Sequence, residues 1–339
     1  MKPQPALMAL FAAALVLAPG AVADDSTAQL DMGGLRFTHS DAIQMVSEDL
    51  YLSMSQVRVR YTFRNLTNRD VTTLVAFPLP EISPNYYYEP VEIPAPGEAN
   101  FVHFRTSVDG HDVPMAIDQR AKLEGHGDVT DRVRAVGLPL SPIDPHFSDA
   151  VARMNAAARS ELVHDGLLEA LAPGDKTQPT EYRALWALDT AFHRSQTFPA
   201  GRTITVEQSY TPIVGASVET LLLIDSIARD NPDRRRLVRQ YCVDDTFERA
   251  ARRVMRQAGG AEYVQQHSLG YVLLTGANWA GPIGRFHLTI DKGAPRNLMS
   301  LCATGVRPTS PTRFELTYSS YTPRADLQVL FLTPTHPDR

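Results

Sequence analysis

The segment 50–63, LYLSMSQVRVRYTF, alternates between apolar and polar residues, and the alternation changes phase partway along the segment. The apolar positions are even-numbered before Ser55 and odd-numbered after Gln56. A period of two predicts strands with one buried face, because successive side chains of a strand point to opposite faces of the sheet. The change of phase predicts a turn or a bulge near these two residues.

Further strands are predicted in the same half of the chain. The apolar segment 71–80 ends at Pro78 and Pro80, which cannot donate to a ladder of main-chain hydrogen bonds. Asp109–Gly110 is a favoured pair for a hairpin turn, and it follows an alternating segment. The remaining candidate strands of this half are the segments 101–108, 181–195 and 201–210.

A helical pattern interrupts these strands at about residues 148–172. Its apolar residues recur at helical spacing, and Ser148 or Asp149 is the predicted N-cap. Gly166 is expected to divide the segment into two helices. The residues that define the apolar face are Val151, Met154, Ala158 and Leu162. We interpret the segment as a helical insertion in a β-sandwich-like domain.

A second unit is predicted to begin near residue 217 with two helices. Asn231 followed by Pro232 is a favoured helix start, and Asp245 with Glu248 resembles a capping box. Alternating segments then return and continue to the end of the chain. The predicted fold is mainly β with helical insertions, in two antiparallel β-sandwich-like domains, residues 24–216 and 217–339.

Residues 1–23 have the features of a cleaved signal peptide. Lys2 precedes an uncharged apolar run of about 13 residues, which is too short to span a bilayer as a helix. Ala21–Val22–Ala23 then supplies the small residues that signal peptidase recognises. We therefore expect a mature protein that begins at Asp24, resides in the periplasm or is secreted, and has no membrane span.

The charge of the chain disfavours one class of protein, and its cysteine content predicts a cross-link. The formal net charge is −5, and removal of Lys2 with the signal peptide makes it one unit more negative, which disfavours a nucleic-acid-binding protein. Cys242 and Cys302 are the only cysteines, and an even count in an exported protein predicts a disulfide. A redox pair and a metal site are the alternatives, but neither characteristic spacing is present. The predicted bridge closes a loop worth about 4 kcal/mol by chain entropy.

Several long segments resemble an uncharacterised family of exported proteobacterial proteins, the domain of unknown function 4424. They include GGLRFTHSDAIQMVSEDLYLS, QTFPAGRTITVEQSYTPIVG, YCVDD and TGANWAGPIGRFHLTIDKG. The resemblance covers nearly the whole predicted mature chain. It implies a periplasmic or secreted protein, and it brings no established activity or site residue. FPLP and FPAGRTITVEQSY are also similar to the VIT β-sandwich domain of inter-α-trypsin inhibitor heavy chains, an extracellular interaction module.

The motifs of common enzymes are missing from the sequence. It has no Gly-x-Ser-x-Gly elbow, no His-Glu-x-x-His zinc helix and no phosphate-binding loop. We accordingly predict no catalytic, cofactor-binding or metal-ligating residue. Asp109, His111 and Asp112 could suggest a metal site, but a polar hairpin tip is favoured because adjacent strand residues point to opposite faces.

Two groups of residues are candidates for contact with a partner. Arg249, Arg252, Arg253 and Arg256 recur at spacings of three, four and seven, which places them together on a helix. They are either a solvated face or a surface for an anionic partner, such as an envelope protein or an anionic envelope polymer. Tyr86, Tyr87 and Tyr88 lie in a proline-flanked loop, which either contacts a ligand or packs on the sandwich edge.

The stretch TGANWAGPIG contains a tryptophan among glycines and a proline. Glycine permits backbone conformations that are closed to other residues, and proline fixes its own φ, so the composition favours a tight connection between strands. We predict a structural turn with Trp279 packed on the core, and the alternative is a tryptophan presented to a sugar or a partner. The residues of the predicted turn are Asn278, Trp279, Gly281 and Pro282.

The predicted function is that of a non-catalytic envelope protein that acts as a binding or scaffold module. The alternative is a hydrolase or carbohydrate-active enzyme whose site is formed from dispersed loops. A cleft with convergent carboxylates of shifted pKa would favour the enzyme, whereas an aromatic or basic patch would favour binding.

Overall fold

The computed structural model describes residues 26–335, with gaps at 32–33, 88–89, 172–178 and 258–262. The predicted signal peptide and the predicted start at Asp24 lie outside the described residues. In the described part of the chain, no helix is long and apolar enough to cross a membrane.

Most elements are strands, as the alternating segments predict. In chain order the strands are β1 Ser26–Asp31, β2 Gly34–Thr38, β3 Ile43–Ser53, β4 Val57–Asn65, β5 Val71–Pro78, β6 Val91–Glu92, β7 Arg105–Val108, β8 His111–Asp112, β9 Ala116–Leu123, β10 Gly127–Asp128, β11 Leu168–Leu171, β12 Glu181–Ala184, β13 Trp186–Phe198, β14 Thr203–Tyr210, β15 Val214–Ser217, β16 Tyr263–Tyr271, β17 Ile283–Asp291, β18 Leu298–Leu301, β19 Arg307–Pro308, β20 Arg313–Tyr321 and β21 Leu327–Thr335.

Five α-helices lie between these strands in the described chain. They are α1 Thr130–Ala135, α2 Phe147–Arg153, α3 Ala156–His164, α4 Pro232–Gln240 and α5 Asp245–Gln257. Two short 3₁₀ turns, Pro84–Tyr87 and Leu274–Asn278, complete the regular structure. The predicted class, mainly β with helical insertions, is therefore confirmed.

The strands form three large sheets and one hairpin. The eight-stranded sheet has the order β19-β20-β17-β3-β4-β14-β7-β8, and the six-stranded sheet has the order β10-β9-β13-β5-β1-β2. The five-stranded sheet has the order β18-β21-β16-β15-β6, and β11 pairs with β12 alone. Among the strands of the described residues, all pairings are antiparallel except that of β17 with β3, which aligns Leu288 with Leu50.

The largest core lies between the eight-stranded sheet and the other two large sheets. Tyr61 from the eight-stranded sheet, Phe77 from the six-stranded sheet and Phe331 from the five-stranded sheet belong to one buried cluster. The turn between β3 and β4 closes where the phase change predicts it, with Ser53 N donating to Gln56 O over 2.9 Å. One face of the eight-stranded sheet thus packs against strands from both halves of the chain.

The five-stranded sheet is covered on both faces, and its sequence shows this directly. In β21, Val329 and Phe331 belong to the large core, while Leu330 and Leu332 belong to a second cluster beneath α4 and α5. Consecutive residues of a strand face opposite sides, so an unbroken apolar run is expected when both sides are buried. The five-stranded sheet is consequently the middle layer between the eight-stranded sheet and the two helices.

Elements on either side of residue 216 share sheets and core. Strand β17 hydrogen-bonds to β3 across more than two hundred residues of sequence, and β15 pairs with β16. The predicted division into 24–216 and 217–339 stays a prediction, and it does not coincide with a break in these sheets.

The predicted helical insertion differs from the structure in three respects. The two helices are separated at Asn155 rather than at Gly166, because the side chain of Asn155 accepts a hydrogen bond from Ala158 N and caps a new helix. The first helix begins at Phe147, one residue before the predicted caps. Residues 168–171 form a strand paired with β12, since this pairing outweighs the local helical pattern.

The predicted start of α4 is correct, whereas that of α5 needs a correction. Asn231 accepts hydrogen bonds from Asp233 N and Arg234 N, as an N-cap does. In α5 the cap is Asp244, whose side chain accepts from Phe247 N over 2.7 Å. The predicted capping-box residue Glu248 instead forms a buried ion pair with Arg234 of α4.

Candidate functional site

A cleft of about 720 Å³ opens on the helix side of the five-stranded sheet, near the β15 and β6 edge. We name it the polar cleft. Its floor is formed by the side chains of Gln266, Ser268 and Gln328 on β16 and β21. Its walls are α4, the loop 218–224 and the segment around Ile82 and Val91. It exists because α4 and α5 cover the sheet only as far as β16.

The floor of the polar cleft is flat and neutral because of the strand register. Gly215 of β15 pairs with Ser268, and Gly270 of β16 pairs with Gln328. A Cβ atom at Gly215 would meet the Ser268 hydroxyl, so any other residue there would require the Ser268 side chain to rotate away. The absence of side chains at Gly215 and Gly270 leaves Gln266, Ser268 and Gln328 as the polar side chains that line this floor.

One polar atom of the floor has no protein partner. Gln266 Oε1 is buried, and no hydrogen-bonding group of the described residues lies within reach of it. A buried amide oxygen without a partner costs about 1–3 kcal/mol, and most such atoms in folded proteins are hydrogen-bonded. The unpaired oxygen is therefore the feature of the polar cleft that most needs an explanation.

Charged residues surround the mouth of the polar cleft. Asp233 and Arg236 of α4 pair with each other at 3.4 Å, while Glu81 and Glu219 lie at other points of the rim. Burial raises the pKa of Glu81 and the nearby Asp189 carboxylate raises it further, whereas Lys122 acts in the opposite direction. The formal charges of the lining residues are three negative and one positive.

A second cavity, of about 800 Å³, lies at the opposite edge of the five-stranded sheet and on its other face. We name it the aromatic cavity. Phe286 stacks on Tyr321 with ring centroids 5.0 Å apart, and Tyr318 lies 5.0 Å from Tyr321. Burial, the neighbouring Tyr318 and Glu48 raise the pKa of Tyr321. Half-buried apolar residues, including Met299 and Leu301, line the remainder.

The predicted disulfide is present and lies at the aromatic cavity. Cys242 and Cys302 are bonded, with Cα atoms 5.0 Å apart. Cys242 lies in the turn between α4 and α5, and Cys302 follows β18 directly. The Ser300 hydroxyl donates to Tyr241 O over 2.8 Å beside the bridge. The disulfide thus ties the helical layer to the edge strand of the sheet.

The four arginines of the predicted anionic-partner face do not all have the same environment. Arg249, Arg253 and Arg256 are exposed, and Arg249 donates to the Thr246 hydroxyl. Arg252 instead turns toward the loop before α4 and bonds to Asp225 over 2.7 Å. Three of the four guanidinium groups therefore face solvent on α5, and among the described residues no α5 residue lines the polar cleft.

The tyrosine loop borders the polar cleft. The segment Pro84–Tyr87 is a short 3₁₀ turn, and its neighbours Ser83 and Pro90 line the cleft wall. The side chains of Tyr86 and Tyr87 and all of Tyr88 lie outside the described residues. Their predicted contact role stays a prediction.

The stretch around Trp279 lies in the large core. Trp279 is fully buried, with its ring centroid 4.6 Å from that of Phe63 and 6.1 Å from that of Phe198. Asn278 O accepts a hydrogen bond from Ser40 N, which ties the turn to the chain before β3. Gly281 has a φ of +73° and Pro282 is exposed, so both lie in the bend itself.

Some polar residues in the interior were missed by the sequence analysis. Tyr61 and Tyr271 share a hydrogen bond of 3.0 Å between their hydroxyls, and Tyr271 donates to Glu48 Oε1 at 3.3 Å. All three are buried between the sheets. A bulge between Met45 and Ser47 shifts the phase of β3 and turns Glu48 inward.

Among the described residues, no group of three His, Cys, Asp or Glu could hold a metal ion.

Comparisons with known proteins identify the family but no activity. The model of the domain of unknown function DUF4424 matches residues 23–330, so the chain belongs to that family. No curated protein has significant sequence similarity to the chain. A solved structure from Legionella pneumophila, described as a "putative nutrient binding protein", is similar at 18% identity and a TM-score of 0.43, over 87% of this chain and 68% of that chain.

Proposed function

We propose that this member of the DUF4424 family is a non-catalytic binding protein of the bacterial envelope, periplasmic or secreted, and that its ligand occupies the polar cleft. The observation that carries the proposal is the buried Gln266 Oε1 on the cleft floor, which no described protein group satisfies. A ligand that donates a hydrogen bond to this oxygen recovers the cost of burying it.

The other floor groups support the same proposal. Ser268 offers a hydroxyl, and Gln328 offers an amide that can both donate and accept. Small-molecule sites commonly combine apolar walls with a few converging polar groups in a cavity of about 300–1,000 Å³. The polar cleft has this composition, since Ile82, Leu221 and Leu237 supply apolar walls.

The proposed location rests on the N-terminal sequence and the disulfide. Residues 1–23 have the pattern of a signal peptide. The Cys242–Cys302 bridge suits an oxidising compartment, where disulfides persist. An N-terminal sequence that starts at Asp24 in protein recovered from the periplasm or the medium is the expected result, and an intact Met1 contradicts it.

The binding proposal is tested by native mass spectrometry of residues 24–339 after incubation with a small-molecule extract of periplasm. We expect a bound small molecule on the wild type and on Gln56→Leu, in which an exposed glutamine far from the cleft is changed. We expect it to be lost from Gln266→Leu, which keeps the side-chain size but cannot hydrogen-bond. Equal occupancy of both variants, or no bound molecule on the wild type, contradicts the proposal.

The second candidate function is a hydrolase, and the raised pKa of Glu81 favours it. A carboxyl group whose pKa is raised keeps its proton to a higher pH than an ordinary glutamate, which favours general acid catalysis. In this candidate Glu81→Gln abolishes turnover of a bound ligand and leaves its binding intact. A bound molecule that is recovered unchanged after long incubation with the wild type contradicts the hydrolase.

A further inference from the structure

The rim of the polar cleft has an excess of negative charge. Arg236, the one cationic side chain among the described lining residues, is paired with Asp233 at 3.4 Å. Glu219 is exposed, and neither it nor Glu81 has an ion-pair partner among the described residues. Two carboxylates thus stand at the entrance of a cavity whose floor is neutral.

Apart from Arg236, the exposed arginines of α4 and α5 lie outside the described lining of the cleft. The exposed arginines Arg249, Arg253 and Arg256 lie on α5, which contributes nothing to the described lining of the cleft. The carboxylates lie where α4, β15 and the segment after β5 meet. A cleft lined by one sign of charge raises the local concentration of ligands of the opposite sign.

We infer that the ligand of the polar cleft carries a cationic amine together with hydroxyl or amide groups, an inference that rests on the proposed function. The amine lies against Glu219 and Glu81 at the rim. The hydroxyl or amide groups reach the floor, where one of them donates to Gln266 Oε1 and others bond to Ser268 and Gln328. An ammonium group has three donors and no acceptor, so it matches carboxylates and not an arginine-rich surface.

The neutral floor argues against a simple metal-ion or anion site. An anion at the rim would face the acidic side chains of Glu219 and Glu81, and like charges at close range are unfavourable. A ligand without hydrogen-bonding groups would leave Gln266 Oε1 unsatisfied. Burial of Glu81 next to Asp189 raises its pKa, and a cation beside it would offset that repulsion.

Three monosaccharides that share one ring and differ in charge test the inference. They are glucosamine, N-acetylglucosamine and glucuronate, compared by calorimetric titration at about pH 6, where the amine is protonated. We expect glucosamine to bind at least about tenfold more tightly than glucuronate. We expect the preference to shrink at high salt, because rim charges are screened.

Rim variants separate this inference from the proposed function. Glu219→Gln combined with Glu81→Gln is expected to remove the preference for glucosamine over N-acetylglucosamine and to leave the affinity for N-acetylglucosamine unchanged. Glu124→Gln, at the exposed turn between β9 and β10, is the matched control and keeps the preference. Gln266→Leu is expected to weaken both amino-sugar ligands alike.

Each outcome decides one of the two statements. Equal binding of the three sugars, a preference for glucuronate, or no binding of glucosamine overturns the inference on ligand charge. The native mass spectra with Gln266→Leu decide the proposed function independently of these sugars. A glucosamine preference that persists in the double rim variant also overturns the inference, because residues other than Glu219 and Glu81 would then recognise the amine.

Discussion

The polar cleft and the aromatic cavity flank the same five-stranded sheet and have similar volumes, about 720 and 800 Å³. The polar cleft opens toward the helices at the β15 and β6 edge. The aromatic cavity opens toward the eight-stranded sheet at the β18 edge. Volume alone therefore does not distinguish the two cavities. They differ in whether the protein supplies hydrogen-bond partners for the polar groups that line them.

In the aromatic cavity, the hydroxyl of Tyr318 finds its hydrogen-bond partners within the protein. The Tyr318 hydroxyl donates to Thr304 O over 2.6 Å and accepts from Thr304 N over 3.2 Å. On the floor of the polar cleft, Gln266 Oε1 has no such partner among the described residues. The two cavities therefore differ in the buried amide oxygen on the floor of the polar cleft, which the proposed function assigns to a ligand.

The largest expected effect distinguishes the filled core from the aromatic cavity. Trp279→Ala should lower the free energy of unfolding by about 3–5 kcal/mol, because a fully buried large aromatic is removed from a packed site. Phe314→Ala, in the half-buried wall of the aromatic cavity, should cost clearly less. Urea denaturation measures both, and equal losses would contradict the view that the cavity is a packing gap.

Loss of the disulfide should loosen the structure around the aromatic cavity more than the structure around the polar cleft. Replacing both Cys242 and Cys302 by serine removes a cross-link that closes 60 residues, which is worth about 4 kcal/mol by chain entropy. We expect a lower melting temperature and increased binding of an apolar dye as β18 loosens. Ligand capture by the folded variant should persist, and its loss would mean that the two cavities are coupled.

Replacing Gln266, whose side-chain oxygen has no described partner, should affect ligand binding and not the stability of the fold. Gln266→Leu eliminates a buried acceptor without a partner, so the free energy of unfolding should be unchanged or rise by about 1 kcal/mol. Chemical denaturation, with Gln56→Leu as control, measures this. A loss of stability above about 1 kcal/mol would mean that the amide has a structural partner.

The smallest effect concerns His267, which lies on the opposite face of β16 from Gln266. Burial lowers the pKa of His267, and the nearby Glu92 acts in the opposite direction. The unfolded chain therefore takes up this proton first, and stability should fall as pH decreases below about 6.5, with a slope of at most about 1.4 kcal/mol per pH unit.

The variant His267→Gln should flatten this part of the pH profile. The control His111→Gln, at an exposed hairpin tip, should leave the profile unchanged. A profile that keeps its slope in the His267 variant would assign the proton uptake to another group. Thermal unfolding between about pH 5 and 7 provides the measurement.

Much of the local structure follows from the sequence, because local chemistry determines it. Alternation predicts β3 and β4, and Asp109 and Gly110 take the left-handed φ values, +49° and +81°, that a tight hairpin turn needs. Asn231 caps α4 as its side chain and position indicate. These features depend on neighbours within a few residues.

The candidate site could not be predicted in the same way, because it depends on distant pairings. Gln266, Ser268 and Gln328 look like solvent-facing positions of half-buried strands. They form a cleft floor only because the helical layer stops short of β15. Glu248 fits a capping box by spacing, but the partner that it selects is Arg234 in another helix. The parallel pairing of β17 with β3 also leaves no local signal.

The most direct test of the account is hydrogen–deuterium exchange of residues 24–339 with and without the small molecule captured from periplasmic extract. We predict slower exchange in the segments 215–224 and 264–268, around the polar cleft, and no change in 299–306, beside the aromatic cavity. Protection confined to 299–306 would place the ligand in the aromatic cavity and contradict the assignment of the polar cleft as the binding site.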